Sequence, residues 1–180
     1  MVYVFLADGF EEAEALFPVD ILRRGGIAIQ TVGVTGKTVT GSHGIPVIAD
    51  LTADETSTDG LQGVILPGGM PGTINLANST AVKRLLEFAV QNKLLIGAIC
   101  AAPSVLGQNG MLNGRRAVCY PGFEEKLLGA MVCNDAVVQD GNIITAKGAG
   151  CAADFGFALL TYLSGNNQQT EDLQKGMCFA

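Results

Sequence analysis

The chain has 180 residues, 48% of them hydrophobic, enough for one complete core and too few for two, so a single domain over 1–180 is expected. Seventeen acidic against eleven basic residues give a formal net charge of −6, with no basic cluster beyond Arg23-Arg24 and Arg115-Arg116, which argues against nucleic acid as a partner. The five cysteines, Cys100, Cys119, Cys133, Cys151 and Cys178, are odd in number and lack Cys-x-x-Cys spacing; this speaks against a disulfide framework or a zinc site and fits a reducing, cytoplasmic setting.

In chain order, Val2-Tyr3-Val4-Phe5-Leu6-Ala7 is an apolar run without alternation and without a basic flank, read as a buried first strand and not as a signal peptide. A helix is expected from about Glu11 to Arg24, with acidic residues in its first turn, an apolar stripe of Leu16, Val19 and Leu22, and Gly25-Gly26 as its stop. Pro18 lies inside it and should bend it. Ile27 to Val34 is a second strand, and Lys37–Thr40 with Ile45–Ala49 reads as a small hairpin or edge excursion. Ala53 to Gly60 reads as polar turn. Leu61–Leu66 is another buried strand, ending in the backbone-dominated loop Pro67-Gly68-Gly69-Met70-Pro71-Gly72.

Ser79 can cap a helix in which Val82, Leu85, Leu86 and Ala89 recur at helical spacing. Leu94 to Gly114 has no charge, but Gly97, Pro103, Gln108, Asn109 and Gly110 interrupt it, so a strand plus helix is expected there and no membrane span. Ala117–Tyr120 is a short strand, Ala136–Gln139 and Asn142–Ala146 form a hairpin around Asp140-Gly141, and Phe155, Ala158, Leu159, Tyr162 and Leu163 face one side of a last long helix. The polar tail from Asn166 has room for one short helix. Strands alternating with helices imply a mostly parallel α/β sheet covered on both faces, whose ligands collect at the carboxyl ends of the strands.

The chemistry centres on Leu94 to Leu106, where an apolar strand stops at Cys100 and small residues open a helix, the layout of a nucleophile elbow. A buried cysteine is usually a small core hydrophobe, and that is the reading for Cys119, Cys133, Cys151 and Cys178. A helix amino terminus should instead favour the Cys100 thiolate and lower its pKa. Gly68 and Gly69 either turn the chain or, with the Ala101 N–H, bind a developing oxyanion or a sulfur oxide. Glu14 can reach over the strand ends and share one proton with Cys100, as a general acid/base. Gly148-Ala149-Gly150-Cys151-Ala152-Ala153 matches a G-x-G-x-x-A dinucleotide pattern, but the strand with an acidic residue that should follow is missing, so no cofactor is expected. His43 is the lone histidine and no metal cluster is visible in the sequence.

Taken together, Ala98-Ile99-Cys100-Ala101-Ala102-Pro103, Asp8-Gly9-Phe10-Glu11-Glu12-Ala13-Glu14, Pro18-Val19-Asp20, Leu66-Pro67-Gly68-Gly69 and Gly148-Ala149-Gly150 resemble the ThiJ/PfpI superfamily, in the branch of the parkinsonism-associated deglycase. The resemblance runs over nearly the whole chain in the same order. It implies a flavodoxin-like three-layer sandwich, a homodimer, an elbow cysteine that oxidises to sulfinate, and a protonated glutamate at Glu14 bonded to that sulfur. It also implies glyoxalase or deglycase chemistry on a small reactive carbonyl or a glycated protein, or a redox-sensing or chaperone role, in a stress response.

Three positions depart from that pattern. Tyr120 stands where many members of the branch carry a histidine, and near neutral pH a phenol donates a hydrogen bond but is a poor base. Ala101 replaces the histidine that follows the cysteine in the protease-like branch, which disfavours peptidase activity. His43 stands where relatives often have arginine, and could be supplied across the dimer. The resulting candidates are Cys100 and Glu14 for catalysis, the backbone of Gly68, Gly69 and Ala101 for an oxyanion, and Tyr120, His43 and Arg24 as accessories, with no cofactor, metal, nucleic acid or membrane involved.

Overall fold

Apolar runs without alternation can be buried only if both faces of a sheet are covered, and this is the arrangement found. The structure, a computed structural model, describes residues 1–179. Its first half comprises β1 (Val2–Leu6), α1 (Glu12–Arg24), β2 (Ile29–Gly33), β3 (Thr38–Thr40), β4 (Pro46–Ile48), β5 (Leu51–Thr52), β6 (Gly63–Leu66), α2 (Gly72–Asn78) and α3 (Thr80–Gln91). The second half comprises β7 (Leu95–Ile99), α4 (Pro103–Gln108), β8 (Arg116–Ala117), β9 (Met131–Val132), β10 (Val137–Asp140), β11 (Ile143–Ala146), α5 (Ala152–Ser164) and α6 (Asn167–Gly176).

Seven strands form one sheet in the order β10-β11-β7-β6-β1-β2-β5. All its pairs are parallel except β10 with β11, the hairpin expected around Asp140-Gly141. Side chains alternate across it. Tyr3, Phe5 and Ala7 point with Val64, Leu66, Ile96 and Ala98 toward Leu76, Leu85, Leu86 and Val105 of α2, α3 and α4. Val2, Val4 and Leu6 point with Ile65, Ile99 and Ile144 toward Ala15, Val19, Ile21 and Leu22 of α1 and Phe155, Leu159 and Leu160 of α5. The result is the flavodoxin-like three-layer sandwich that the resemblance implied. Among the described residues no helix is long and apolar enough to cross a membrane.

Several local expectations change. Leu16 is exposed, and the buried stripe of α1 is instead Ala15, Pro18, Val19, Ile21 and Leu22. Glu11 lies just outside the helix as its N-cap. Two elements fall where no element is expected, β5 at the sheet edge and α2 from the last residue of the glycine-rich loop onward. The strand at Ala117 belongs to a separate two-stranded ribbon, in which β8 pairs in parallel with β9. Ser79 does cap α3, accepting from the Val82 N–H at 3.3 Å.

Candidate active site

α1 leaves the end of β1 toward one face of the sheet, and α2 leaves the end of β6 toward the other, so a crevice opens between these neighbouring strands at their carboxyl ends. The two loops are stitched together there: the Glu11 N–H donates to the Gly68 carbonyl at 3.0 Å and the Gly72 N–H to the Gly9 carbonyl at 3.2 Å. Gly69 has φ +89°, and a Cβ on it would lie 2.4 Å from the Glu11 nitrogen, so only glycine fits.

Cys100 follows β7 beside this crevice. Its φ of +65° is a left-handed conformation that non-glycine residues seldom adopt, the backbone mark of an elbow. Two bonds hold the bend, from the Cys100 N–H to the Ala146 carbonyl at 2.9 Å and from the Tyr120 N–H to the Cys100 carbonyl at 2.8 Å. The N–H groups of Ala101 and Gly69 lie on the side of the thiolate and lower the thiol pKa.

Glu14, in the first turn of α1 and 1% exposed, sets its carboxyl beside that same thiol. Its Oε2 accepts from the Gly68 N–H at 2.9 Å. This corrects one expectation: the Gly68 N–H is committed to Glu14 and is not aimed at an oxyanion, while a Cβ on Gly68 would sit 2.6 Å from both Cys100 Cβ and Glu14 Oε2. Gly68 is what lets the carboxyl and the thiol meet.

The lowered cysteine pKa expected from the helix terminus is also corrected. Burial, then the neighbouring Glu14 charge and bond, push the Cys100 thiol up to about 12, against which the Ala101 and Gly69 N–H groups act only in part. Burial likewise raises Glu14 to about 7, helped by the charge of Glu11 and opposed by its bonds from Cys100 and Gly68. The pair therefore releases one proton near neutrality and keeps the other into strong alkali; in between, one proton is shared by sulfur and carboxyl.

Tyr120 lies at the mouth. A Cβ on Gly148 would be 3.3 Å from the Tyr120 ring and 4.0 Å from Glu14 Oε1, so the G-x-G-x-x-A stretch serves as a wall of this site. The segment that bears Tyr120 is anchored by the Val118 N–H on the buried Thr145 Oγ1 at 3.0 Å, a contact that no sequence signal announces.

His43 sits on the β3–β4 loop and is tied within its own chain: its Nδ1 is 2.8 Å from Glu12 Oε2 and its N–H donates to Glu12 Oε1 at 2.9 Å. Burial would raise Glu12, but the bonds from the His43 ring and from the backbone N–H groups of Glu12, His43 and Ile45 outweigh it and hold the carboxyl down at about 2. The Glu12 carboxylate in turn raises His43. Glu11, Glu12 and His43 offer metal-ligating atoms within 4.8 Å of one another, but the His43–Glu12 ion pair already closes that set on itself. Arg24 stands apart, at the far end of α1, where it pairs with Asp20 at 2.8 Å.

A mostly parallel sandwich with a strained cysteine after a central strand, facing a protonatable glutamate from the first helix, defines a class of elbow-cysteine α/β proteins. The chain belongs to the DJ-1/PfpI family, whose profile matches residues 1–162. It is 34% identical to the protein dj-1beta of Drosophila melanogaster, over 98% of this chain and 96% of that one. It is 32% identical to the glutathione-independent glyoxalase DJR-1.2 of Caenorhabditis elegans, over 94% and 91%. Among solved structures, a cysteine-to-alanine mutant of a DJ-1 superfamily protein from Salmonella typhimurium superposes with a TM-score of 0.95 at 36% identity, covering 99% of this chain and 98% of that one.

Proposed function

We propose that the protein is a cysteine-dependent stress-response enzyme acting on reactive dicarbonyls or their protein adducts, as one domain over 1–180, homodimeric and cytoplasmic. The observation that carries this reading is the buried Glu14 carboxyl set against the strained Cys100 across Gly68, which gives the nucleophile a proton acceptor that is itself half-titrated near neutrality. The likeness to a relative named a glutathione-independent glyoxalase supports the substrate class.

With methylglyoxal, Sγ adds to the aldehyde carbon as its proton passes to Glu14. The C=O pair moves onto oxygen, beside the Gly69 and Ala101 N–H groups, and takes the proton back to give a hemithioacetal. The Glu14 carboxylate next removes the proton from that carbon and, through an enediol, delivers it to the neighbouring carbon, leaving a thioester. Water then cleaves the C–S bond, releasing the hydroxy acid and the thiol. One carbon is oxidised and its neighbour reduced, so no outside oxidant is consumed.

A second reading is favoured by one feature, the Gly69 and Ala101 N–H groups that favour a negative charge on the sulfur beside Glu14, which would also hold sulfinate oxygens. Here peroxide oxidises Cys100 and no substrate turns over. Lactate production from methylglyoxal by wild type and Cys100→Ala decides between them. The enzyme reading expects lactate from wild type alone; it fails if neither makes lactate while peroxide adds two oxygens selectively at Cys100.

A further inference from the structure

Glu11 is an unusual N-cap. Serine, threonine, aspartate and asparagine are the residues that reach a helix's first N–H groups most economically, and a glutamate spends an extra methylene to do the same. Here Oε2 of Glu11 accepts from the Glu14 N–H at 2.7 Å, and its Oε1 is turned toward His43, 3.9 Å from Nδ1. The backbone of the same residue holds the other half of the site: its N–H bonds the Gly68 carbonyl, and it packs where Gly69 has no Cβ. One residue thus joins the helix that carries Glu14 to the loop that carries the Gly69 N–H, and places a negative charge next to both.

We propose that Glu11 is the positioning residue of this site, fixing Glu14 and Gly69 against Cys100 and setting through its own charge the pH at which the pair gives up its first proton, with His43 as the counter-charge. The inference rests on the Cys100–Glu14 pair of the proposed function. The titratable groups around it are Cys100 from the elbow, Tyr120 from the segment after β8, Glu12 and Glu14 from α1, and His43 from the β3–β4 loop.

The physics gives signs. Loss of the first proton takes the pair from neutral to a single negative charge, which the Glu11 carboxylate opposes and a charged His43 assists. Glu11 is bonded to the backbone of Glu14 and not to Cys100, so its charge also favours the form with the proton on the carboxyl and the thiolate on sulfur.

The test is the rate of Cys100 alkylation by iodoacetamide at low salt, from about pH 5 to about pH 10, resolved by peptide mass spectrometry so that the other cysteines are counted separately. Wild type should show a step near neutrality. Glu11→Gln, which keeps an oxygen to accept from the Glu14 N–H, should move that step down by about half a unit or more and lower the plateau above it about twofold. His43→Ala should move the step up. A step unmoved by Glu11→Gln, or moved the same way by both variants, overturns the inference alone. A wild-type profile with no step near neutrality overturns both the inference and the pair on which it rests.

Discussion

Burying Glu14 until it titrates at about 7 means that folding takes up a proton which an unfolded carboxyl, at 4.5, has already lost. The contribution is fully present below about pH 4.5 and is lost as pH rises toward 7, because in that window the native state binds more protons than the unfolded one. Urea unfolding of the wild type should therefore show stability falling by up to about 3 kcal/mol across this interval, and Glu14→Gln should flatten that part of the profile. The Glu12 carboxyl acts with opposite sign and in another window: held at about 2, it contributes stability above about pH 4.5 that is lost on acidification toward 2. Tyr120 carries a second prediction. Its N–H already fixes the elbow carbonyl and its ring rests on Gly148 beside Glu14, so Tyr120→His would place an imidazole base at the mouth without disturbing the backbone. Lactate formation from methylglyoxal should rise by about a hundredfold, the low side of what a placed base supplies.

At the scale of elements, α1, which carries Glu14, lies close on α5, and Gly156 makes that approach possible. A Cβ there would be 2.7 Å from Ile21 Cδ1 and 3.2 Å from the Pro18 Cα, so Gly156→Val forces the two helices apart. It should cost about 1–3 kcal/mol by denaturant unfolding, with Cys100 oxidised by peroxide faster as the burial of the site loosens. The long elements were legible in the sequence because each buries a continuous surface: unbroken apolar runs for β1, β6 and β7, and a 3–4 spacing for α3. The elements that escaped are those whose local pattern is too short to repeat, namely β5 and β9 at two residues each and α2, which opens on glycine and buries only Gly72, Thr73 and Leu76. At the site, Cys100, Glu14 and the glycine loop were legible because the topology forces strand ends together. The fate of the Gly68 N–H and the bond between Glu12 and His43 were not, because pairing over 54 and 31 residues is decided by loop geometry that no local spacing encodes. The raised thiol pKa is hidden for a related reason: a sequence shows the helix terminus that favours thiolate but not the depth of burial that opposes it.

On the whole molecule, several apolar side chains are exposed among the described residues, and one group of them lies where α1 meets the β3–β4 hairpin. Leu16 is 37% exposed one turn beyond Glu12, and Glu12 accepts from the N–H of Ile45, itself 52% exposed, on the loop that leads into β4, where Ile48 is 78% exposed. Such a strip spanning a helix and a hairpin is the surface the proposed homodimer would bury. Two copies that each carry a formal charge of −6 repel one another, so the apolar contact must outweigh a long-range electrostatic penalty. Sedimentation equilibrium should therefore find the dimer tightening as salt rises from about 0.05 to about 0.5 M, because screening weakens the repulsion and leaves hydrophobic burial intact. Ile48→Glu should shift the chain to monomer, since it adds a charge where the strip is most exposed, with far-ultraviolet circular dichroism unchanged because this side chain contributes nothing to either core. A wild type that stays monomeric at high salt, or an Ile48→Glu chain that dimerises as the wild type does, would remove this surface as the interface.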